Sequence, residues 1–467
     1  MKNLTLIVYL ILAVTSLKAQ LRLPAIYDDH MVIQQQSSAP IWGWARSTQE
    51  ITIKVSWDTT TIKAKTDNTA FWSSSLQTPI AGGPHTITIK AGEEERILQD
   101  VMSGEVWICS GQSNMEWSMA ASADGRELLT QIDDRNIRLF NVGKSAAPSL
   151  QVRGEGDWQI CDKESVRDFS AVGYFFGKKL LQDLNVPIGL INVSWGGTPA
   201  EVWLPEERIK ANSDLAKSSE KQIDNKPWCP SKPGVVFNAM INPLIPFRIA
   251  GALWYQGESN TAAPSTYKLL MENLILEWRK QFLVEFPFYY VQIAPFSGYG
   301  EIEIGTLIRE QQVKMLEIPK TGMVVISDLV EDVKDIHPKY KKPVGERLAN
   351  LALAKTYGKN EIVSESPIYR SMRVEKKGKI RISFDHVPSE LIAKGVEPNE
   401  FLIAGEDQKF YSAKARIEKN TVTVWAKEVK HPIAVRFGWK NGSIPNLFSK
   451  EGLPVSCFRT DEWPTGK

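Results

Sequence analysis

The apolar run Val106-Trp107-Ile108-Cys109 stops abruptly at Ser110-Gly111-Gln112-Ser113-Asn114. A buried strand that runs into small and amide residues ends in a tight turn, and such a turn can hold the Ser113 hydroxyl out toward a substrate. Strands are predicted at 104–109, 188–193, 250–255, 288–293 and 323–327. Three more of them end in comparable loops. Ser194-Trp195-Gly196-Gly197-Thr198 follows 188–193, and Gln256-Gly257-Glu258-Ser259-Asn260 follows 250–255. After 323–327 an acidic loop, Asp328 to Asp335, leads into Ile336-His337-Pro338. Helical periods lie between the strands: Tyr267, Leu270, Met271, Leu274, Ile275 and Trp278 share one face, with Ser265 or Thr266 as N-cap, and Val344, Leu348, Leu351 and Ala352 share another. Strands alternating with helices imply a parallel sheet, and ligands of such sheets bind beyond the carboxyl ends of the strands.

The chemistry gives each loop a role. A serine becomes a nucleophile only beside a base and a set of oxyanion donors. Ser113 is expected to attack an ester carbonyl, and His337 to take its proton and return it to the leaving alcohol. A carboxylate beside the histidine would fix its tautomer. The backbone N–H groups of Ser113 and Gly197 and the side-chain amide of Gln256 are the candidate oxyanion donors. Taken singly, each residue has a plainer reading. A serine in a turn is usually a cap, Gly196-Gly197 reads as a simple turn, and Trp195, Trp254 and Tyr255 read as packing. Cys109 precedes the turn and reads as a buried strand residue. His386, preceded by Asp385, is a rival base, but it lies outside the zone of parallel strands.

Patterning divides the 467 residues into zones. Residues 1–19, with Lys2, an apolar stretch from Leu4 to Leu17, and Ala19, read as a signal peptide cleaved after Ala19; the stretch is too short for a membrane span. Residues 20–100 alternate apolar and polar positions, as in Glu50-Ile51-Thr52-Ile53-Lys54-Val55, and predict a β domain. Residues 101–356 form the α/β zone, and residues 357–467 return to short strands such as Lys379–Phe384 and Thr421–Trp425. Loss of Lys2 and Lys18 brings the formal charge from +2 to about zero, so nothing suggests nucleic acid or a membrane surface as partner. The five histidines and four cysteines include no zinc-type spacing, so no metal is expected. Cys109, Cys161, Cys229 and Cys457 would allow three full pairings in an oxidising compartment, and the sequence does not choose among them. Fifteen tryptophans suit sugar-facing surfaces and aromatic cores equally.

Gly111-Gln112-Ser113-Asn114, Trp195-Gly196-Gly197-Thr198, Trp254-Tyr255-Gln256-Gly257-Glu258-Ser259-Asn260 and Asp335-Ile336-His337-Pro338 together resemble the sialate O-acetylesterase family. That family lies within the SGNH (GDSL-type) hydrolase superfamily and is related to certain acetylxylan esterases. The segments Leu23–Val32, Phe237–Ile241 and Glu451–Pro454 share the resemblance, so it covers most of the chain. It implies a flavodoxin-like α/β hydrolase domain flanked by β-rich, sandwich-like regions, and removal of O-acetyl groups from sugars without a cofactor. Residue by residue it implies Ser113 as nucleophile, Gly197 and Gln256 at oxyanion positions, and His337 as base. One departure stands out. Many SGNH hydrolases carry an aspartate three residues before the histidine, where this chain has Lys334. Asp335 is the expected orienting carboxylate, with Asp332, Asp328 and Glu258 open and a dyad possible. The expected function is a secreted or periplasmic carbohydrate O-acetylesterase acting on O-acetylated sialic acid. The alternatives are the same chemistry on acetylxylan or another plant polysaccharide, and a non-catalytic carbohydrate-binding protein.

Overall fold

The computed structural model describes residues 20–223, 227–300 and 302–464; the expected signal peptide lies outside them. The long strand Glu94–Gly111 runs through the middle of the molecule. Across the main sheet the order is Thr321–Val324, Phe288–Val291, Gly251–Tyr255, Glu94–Gly111, Ile188–Ser194, Asp133–Asn141 and Trp158–Asp162. All neighbours are parallel except the last pair. Five of these strands make the flavodoxin-like order expected of an SGNH hydrolase, and the pair 133–141 and 158–162 extends one edge. The strand before Ser113 has later strands on both sides, so the chain changes direction across the sheet at its carboxyl end. There the loops on either side splay apart and leave a crevice.

Residues alternate between the faces of each strand and feed two cores. Val106, Ile108, Ile191, Ala252, Trp254, Phe288 and Tyr290 pack on one side against the helix Tyr267–Phe282. That helix buries Tyr267, Leu270, Met271, Leu274, Ile275 and Trp278, the face its spacing predicts. It ends at Leu283, which turns left-handed at φ 56°. On the other side Trp107, Cys109, Leu190, Leu253, Tyr289 and Val324 pack against the helices Ala171–Leu184 and Lys342–Lys355. Each large apolar side chain buried this way contributes about 1.5–3 kcal/mol. Most of the tryptophans named in the core are wholly buried, among them Trp72, Trp107, Trp203, Trp254, Trp278 and Trp439. Trp254 meets Trp203 and Trp278 edge-on with centroids 6.1 Å apart, and serves packing. Cys109, Cys161 and Cys457 are buried and form no disulfide.

The antiparallel strands Glu50–Val55, Asp58–Lys65 and Gly82–Ala91 attach to the first half of Glu94–Gly111. Toward the C-terminus two four-stranded sheets face each other across Ile380, Ile382, Phe401, Ile403, Val435 and Phe437. This sandwich docks on the helix Ile304–Lys314. Arg459 forks onto Glu310 at 2.8 and 3.1 Å, and Arg309 donates to the Lys440 carbonyl at 2.8 Å. Among the described residues no helix is long and apolar enough to cross a membrane.

Candidate active site

Three strand ends are stitched together before any side chain enters the site. The Gln112 N–H donates to the Tyr255 carbonyl at 3.0 Å, and the Trp195 N–H to the Gly111 carbonyl at 3.0 Å. Gly111 makes this closeness possible. At φ +135° a side chain would be strained, and a Cβ would lie 2.2 Å from the Tyr255 oxygen. The chain then turns into the single-turn helix Ser113–Glu116, which presents Ser113 at the floor of a cleft of about 920 Å³. Trp117, Lys144, Trp195, Gly197, Trp228 and His337 are among the residues that line it.

His337 Nε2 lies 2.9 Å from Ser113 Oγ. The imidazole stacks on the Trp117 ring, with centroids 4.7 Å apart and planes 22° from parallel. Burial and the Lys341 cation depress the His337 pKa, and Asp335 pulls weakly the other way. That direction favours the neutral ring, the form a general base needs.

Asp335 is the carboxylate nearest the other ring nitrogen, yet its Oδ1 is 3.9 Å from Nδ1, beyond hydrogen-bond reach. The same oxygen accepts the backbone N–H of His337 at 2.9 Å. The other carboxylates considered are engaged elsewhere. Asp328 forks onto Arg347 at 2.8 and 2.7 Å, Asp332 accepts the Lys334 N–H at 2.9 Å, and Glu258 accepts from Asn114 at 2.7 Å. Ser113 and His337 thus form a hydrogen-bonded dyad with Asp335 bracing the histidine's backbone. His386 pairs with Glu365 at 3.5 Å in the C-terminal region and takes no part.

The loop after Ile188–Ser194 carries Gly197 at φ +79°, in the left-handed region, on the cleft wall. The Gly196 N–H is taken by the Glu116 carboxylate, which also holds Lys144. Among the described residues the N–H groups of Ser113 and Gly197 have no protein acceptor. Gln256 departs from its expected role. It is fully buried, its amide nitrogen donates to Asn260 Oδ1 at 2.7 Å and Thr198 O at 3.3 Å, and its oxygen accepts from Tyr267 at 2.9 Å. Every polar atom of that amide is occupied beneath the loop, so it has nothing left to offer an oxyanion. An amide that does line the cleft, directly beside the serine, is Gln112, whose Oε1 accepts the Ser259 N–H at 3.2 Å. A residue directly before the serine reads from sequence as part of the turn, and nothing in its spacing sets it apart.

Sequence reasoning also missed Trp117 and Lys341. Trp117 lies four residues after the serine, and Lys341 four after the histidine. Trp117 comes back to the site because Ser113–Glu116 forms a helical turn, and Lys341 because it caps the helix Lys342–Lys355; the sequence marks neither. Among the described residues no group of three or more His, Cys, Asp or Glu side chains is placed to hold a metal ion.

A flavodoxin-like sheet with a serine, a histidine and two open backbone donors at its switch point defines a serine-type carboxylic ester hydrolase. Residues 103–354 match the family model described as carbohydrate esterase, sialic acid-specific acetylesterase, and the chain belongs to that family. Sialate O-acetylesterase from Homo sapiens is 30% identical over 404 residues, covering 78% of this chain and 76% of its own. The Mus musculus protein of that name is 28% identical over 451 residues, covering 81% and 82%. Among solved structures, a novel carbohydrate acetylesterase from Xanthomonas citri is 35% identical with a TM-score of 0.87, covering 95% of this chain and 100% of its own. The protein is a carbohydrate O-acetylesterase.

Proposed function

We propose that Ser113 is the nucleophile and His337 the general base of sugar deacetylation. The observation that carries this reading is the 2.9 Å contact between Ser113 Oγ and His337 Nε2 at the floor of the cleft. Ser113 Oγ attacks the acetyl carbonyl while His337 Nε2 takes its proton. The oxyanion is received by the N–H groups of Ser113 and Gly197, with the Gln112 side chain as the amide within reach. A single such donor is worth about 3–4 kcal/mol of transition-state stabilisation. His337 returns the proton to the sugar oxygen as its bond to the acetyl carbon breaks, and water, activated by His337, then cleaves the acetyl ester on Ser113 to release acetate. Stacking on Trp117 supplies the orientation that a tight aspartate contact supplies elsewhere.

The sialate O-acetylesterases among its relatives support O-acetylated sialic acid as substrate, and Lys221 at the cleft suits its carboxylate. A second reading, an acetylated plant polysaccharide, is favoured by the breadth of the cleft. A volume near 920 Å³ with Trp228 63% exposed at its edge has room for more than one sugar ring. The composition of residues 1–19 supports export to a secreted or periplasmic location.

The test is hydrolysis of a chromogenic acetyl ester, followed by acetate release from O-acetylated sialic acid and from acetylated xylan. Wild type should turn over the ester and Ser113→Ala should lose at least about a thousandfold. Retained activity in Ser113→Ala would sink the mechanism. Release from xylan alone would decide for the polysaccharide, and glycan binding without any turnover by wild type would make this a binding protein.

A further inference from the structure

Lys341 is wholly buried, an expensive position for an ammonium group. Its Nζ donates to Asn114 Oδ1 at 2.6 Å and sits 5.7 and 5.5 Å from the ring centroids of Trp117 and Tyr255. On the far side of the same amide, Asn114 Nδ2 donates to Glu258 Oε1 at 2.7 Å and to the Ile336 carbonyl at 3.1 Å. The second Glu258 oxygen, Oε2, is buried with no hydrogen-bond partner among the described residues. Asn114 therefore links three of the four loops: the nucleophile's own, the one after Gly251–Tyr255, and the histidine loop. A cation on its oxygen and a carboxylate on its nitrogen forbid the amide to flip. Since Asn114 follows Ser113 and Ile336 precedes His337, this clamp sets how nucleophile and base meet.

We propose that Lys341 is a positioning residue of this esterase, which locks the histidine loop to the nucleophile through Asn114. The inference rests on the proposed roles of Ser113 and His337. Glu258, Asp124 from the helix Ala123–Leu128, and Asp335 are the carboxylates that face Lys341, and His337 is the other titrating group within its field. Burial pushes the lysine down to about 7 against those carboxylates. As pH falls, Lys341 and His337 both take up protons and each resists the other.

The experiment compares kcat and KM across pH for wild type, Lys341→Met and Asn114→Ala on the chromogenic acetyl ester, with thermal melts to verify folding. Lys341→Met should lower kcat at least about tenfold with KM nearly unchanged, and move the acid limb of kcat/KM to higher pH, because the cation that depresses the His337 pKa is gone. Asn114→Ala should lower kcat similarly while leaving that limb in place, because the cation remains. A merely structural lysine would change the melt without moving the limb. If Lys341→Met does not fold, Asn114→Ala decides: full activity there overturns the clamp. Folded Lys341→Met with wild-type kcat and an unmoved limb overturns the proposal as well. Ser113→Ala and His337→Ala run in parallel keep the two readings apart, since activity in either would sink the assigned roles rather than the role of Lys341.

Discussion

At Asp335 a single distance separates two mechanisms. A triad aspartate that grips Nδ1 is worth about ten-thousandfold in kcat. Here Oδ1 stands 3.9 Å from Nδ1 and accepts a backbone N–H instead, a bond that an asparagine oxygen can also accept. Asp335→Asn should therefore cost no more than about tenfold in kcat/KM, far from the loss expected of a tight triad. It should also move the acid limb to lower pH. Removing the carboxylate that favours imidazolium lowers the His337 pKa further below the ordinary imidazole value of about 6.5. A pH–rate profile of the variant checks both, and a ten-thousandfold loss would show that Asp335 reaches Nδ1 during turnover. That Ser113 and His337 come together was legible because each closes a strand end of one parallel sheet, and histidine is scarce in this chain. Gln256 was not, since an amide beside a glycine after a strand reads the same whether it faces the cleft or folds beneath the loop. Lys341 illustrates a different limit. A lysine in a polar stretch reads as solvated, and only the packing of Trp117 and Tyr255 around it makes it buried.

Among elements, the helices Tyr267–Phe282 and Lys342–Lys355 were visible from their spacing, while Ala171–Leu184 and Ile304–Lys314 were not. Tyr267–Phe282 is amphipathic because its outer face meets water. Ala171–Leu184 begins Ala-Val-Gly-Tyr-Phe-Phe-Gly and buries that whole stretch, so its polar stripe starts only at Lys178 and Lys179 and its first two turns carry none. It lies beside Lys342–Lys355 on the same face of the sheet, the first helix over Ile188–Ser194 and Asp133–Asn141 and the second, which begins directly after Lys341, over Phe288–Val291 and Thr321–Val324. The two helices meet at Gly345. A Cβ there would lie 2.7 Å from the Val172 carbonyl oxygen and 2.8 Å from the Phe176 nitrogen, both backbone atoms that cannot swing aside. Gly345→Ala should therefore destabilise the protein by about 1–3 kcal/mol, despite alanine's better helix propensity. A denaturant titration measures it, and a variant as stable as wild type would mean that the helices separate at little cost. If they do move apart, the Lys341 end of the second helix moves with them, and kcat should fall along with stability.

For the molecule as a whole, the change in patterning near residue 100 marks a change of sheet type within one unbroken strand. Glu94–Gly111 pairs with Gly82–Ala91 over its first half and with Ile188–Ser194 and Gly251–Tyr255 over its second. Alternation reports which neighbours a strand has, and so it resolves the two halves while hiding their continuity. The packing is continuous too. Val32–Gln34 runs parallel to Met102–Gly104, Gln35 donates to Glu105 at 2.7 Å, and Trp158 donates to the Ile26 carbonyl at 2.8 Å. Ile26, Met31 and Val32 share one buried cluster with Val106, Ile108 and Ile191. A β module joined by a linker could be removed without harm, whereas removing this one strips one face from the strand that delivers Ser113. A chain beginning at residue 101 should accordingly be insoluble or melt well below the parent, and lose esterase activity with its fold. Expression of that chain, with melting followed by circular dichroism and turnover of the acetyl ester, tests it. Unchanged melting and kcat/KM would mean that the N-terminal strands only cover the hydrolase, and that the geometry at Ser113 is set entirely by the loops at the other end of the sheet.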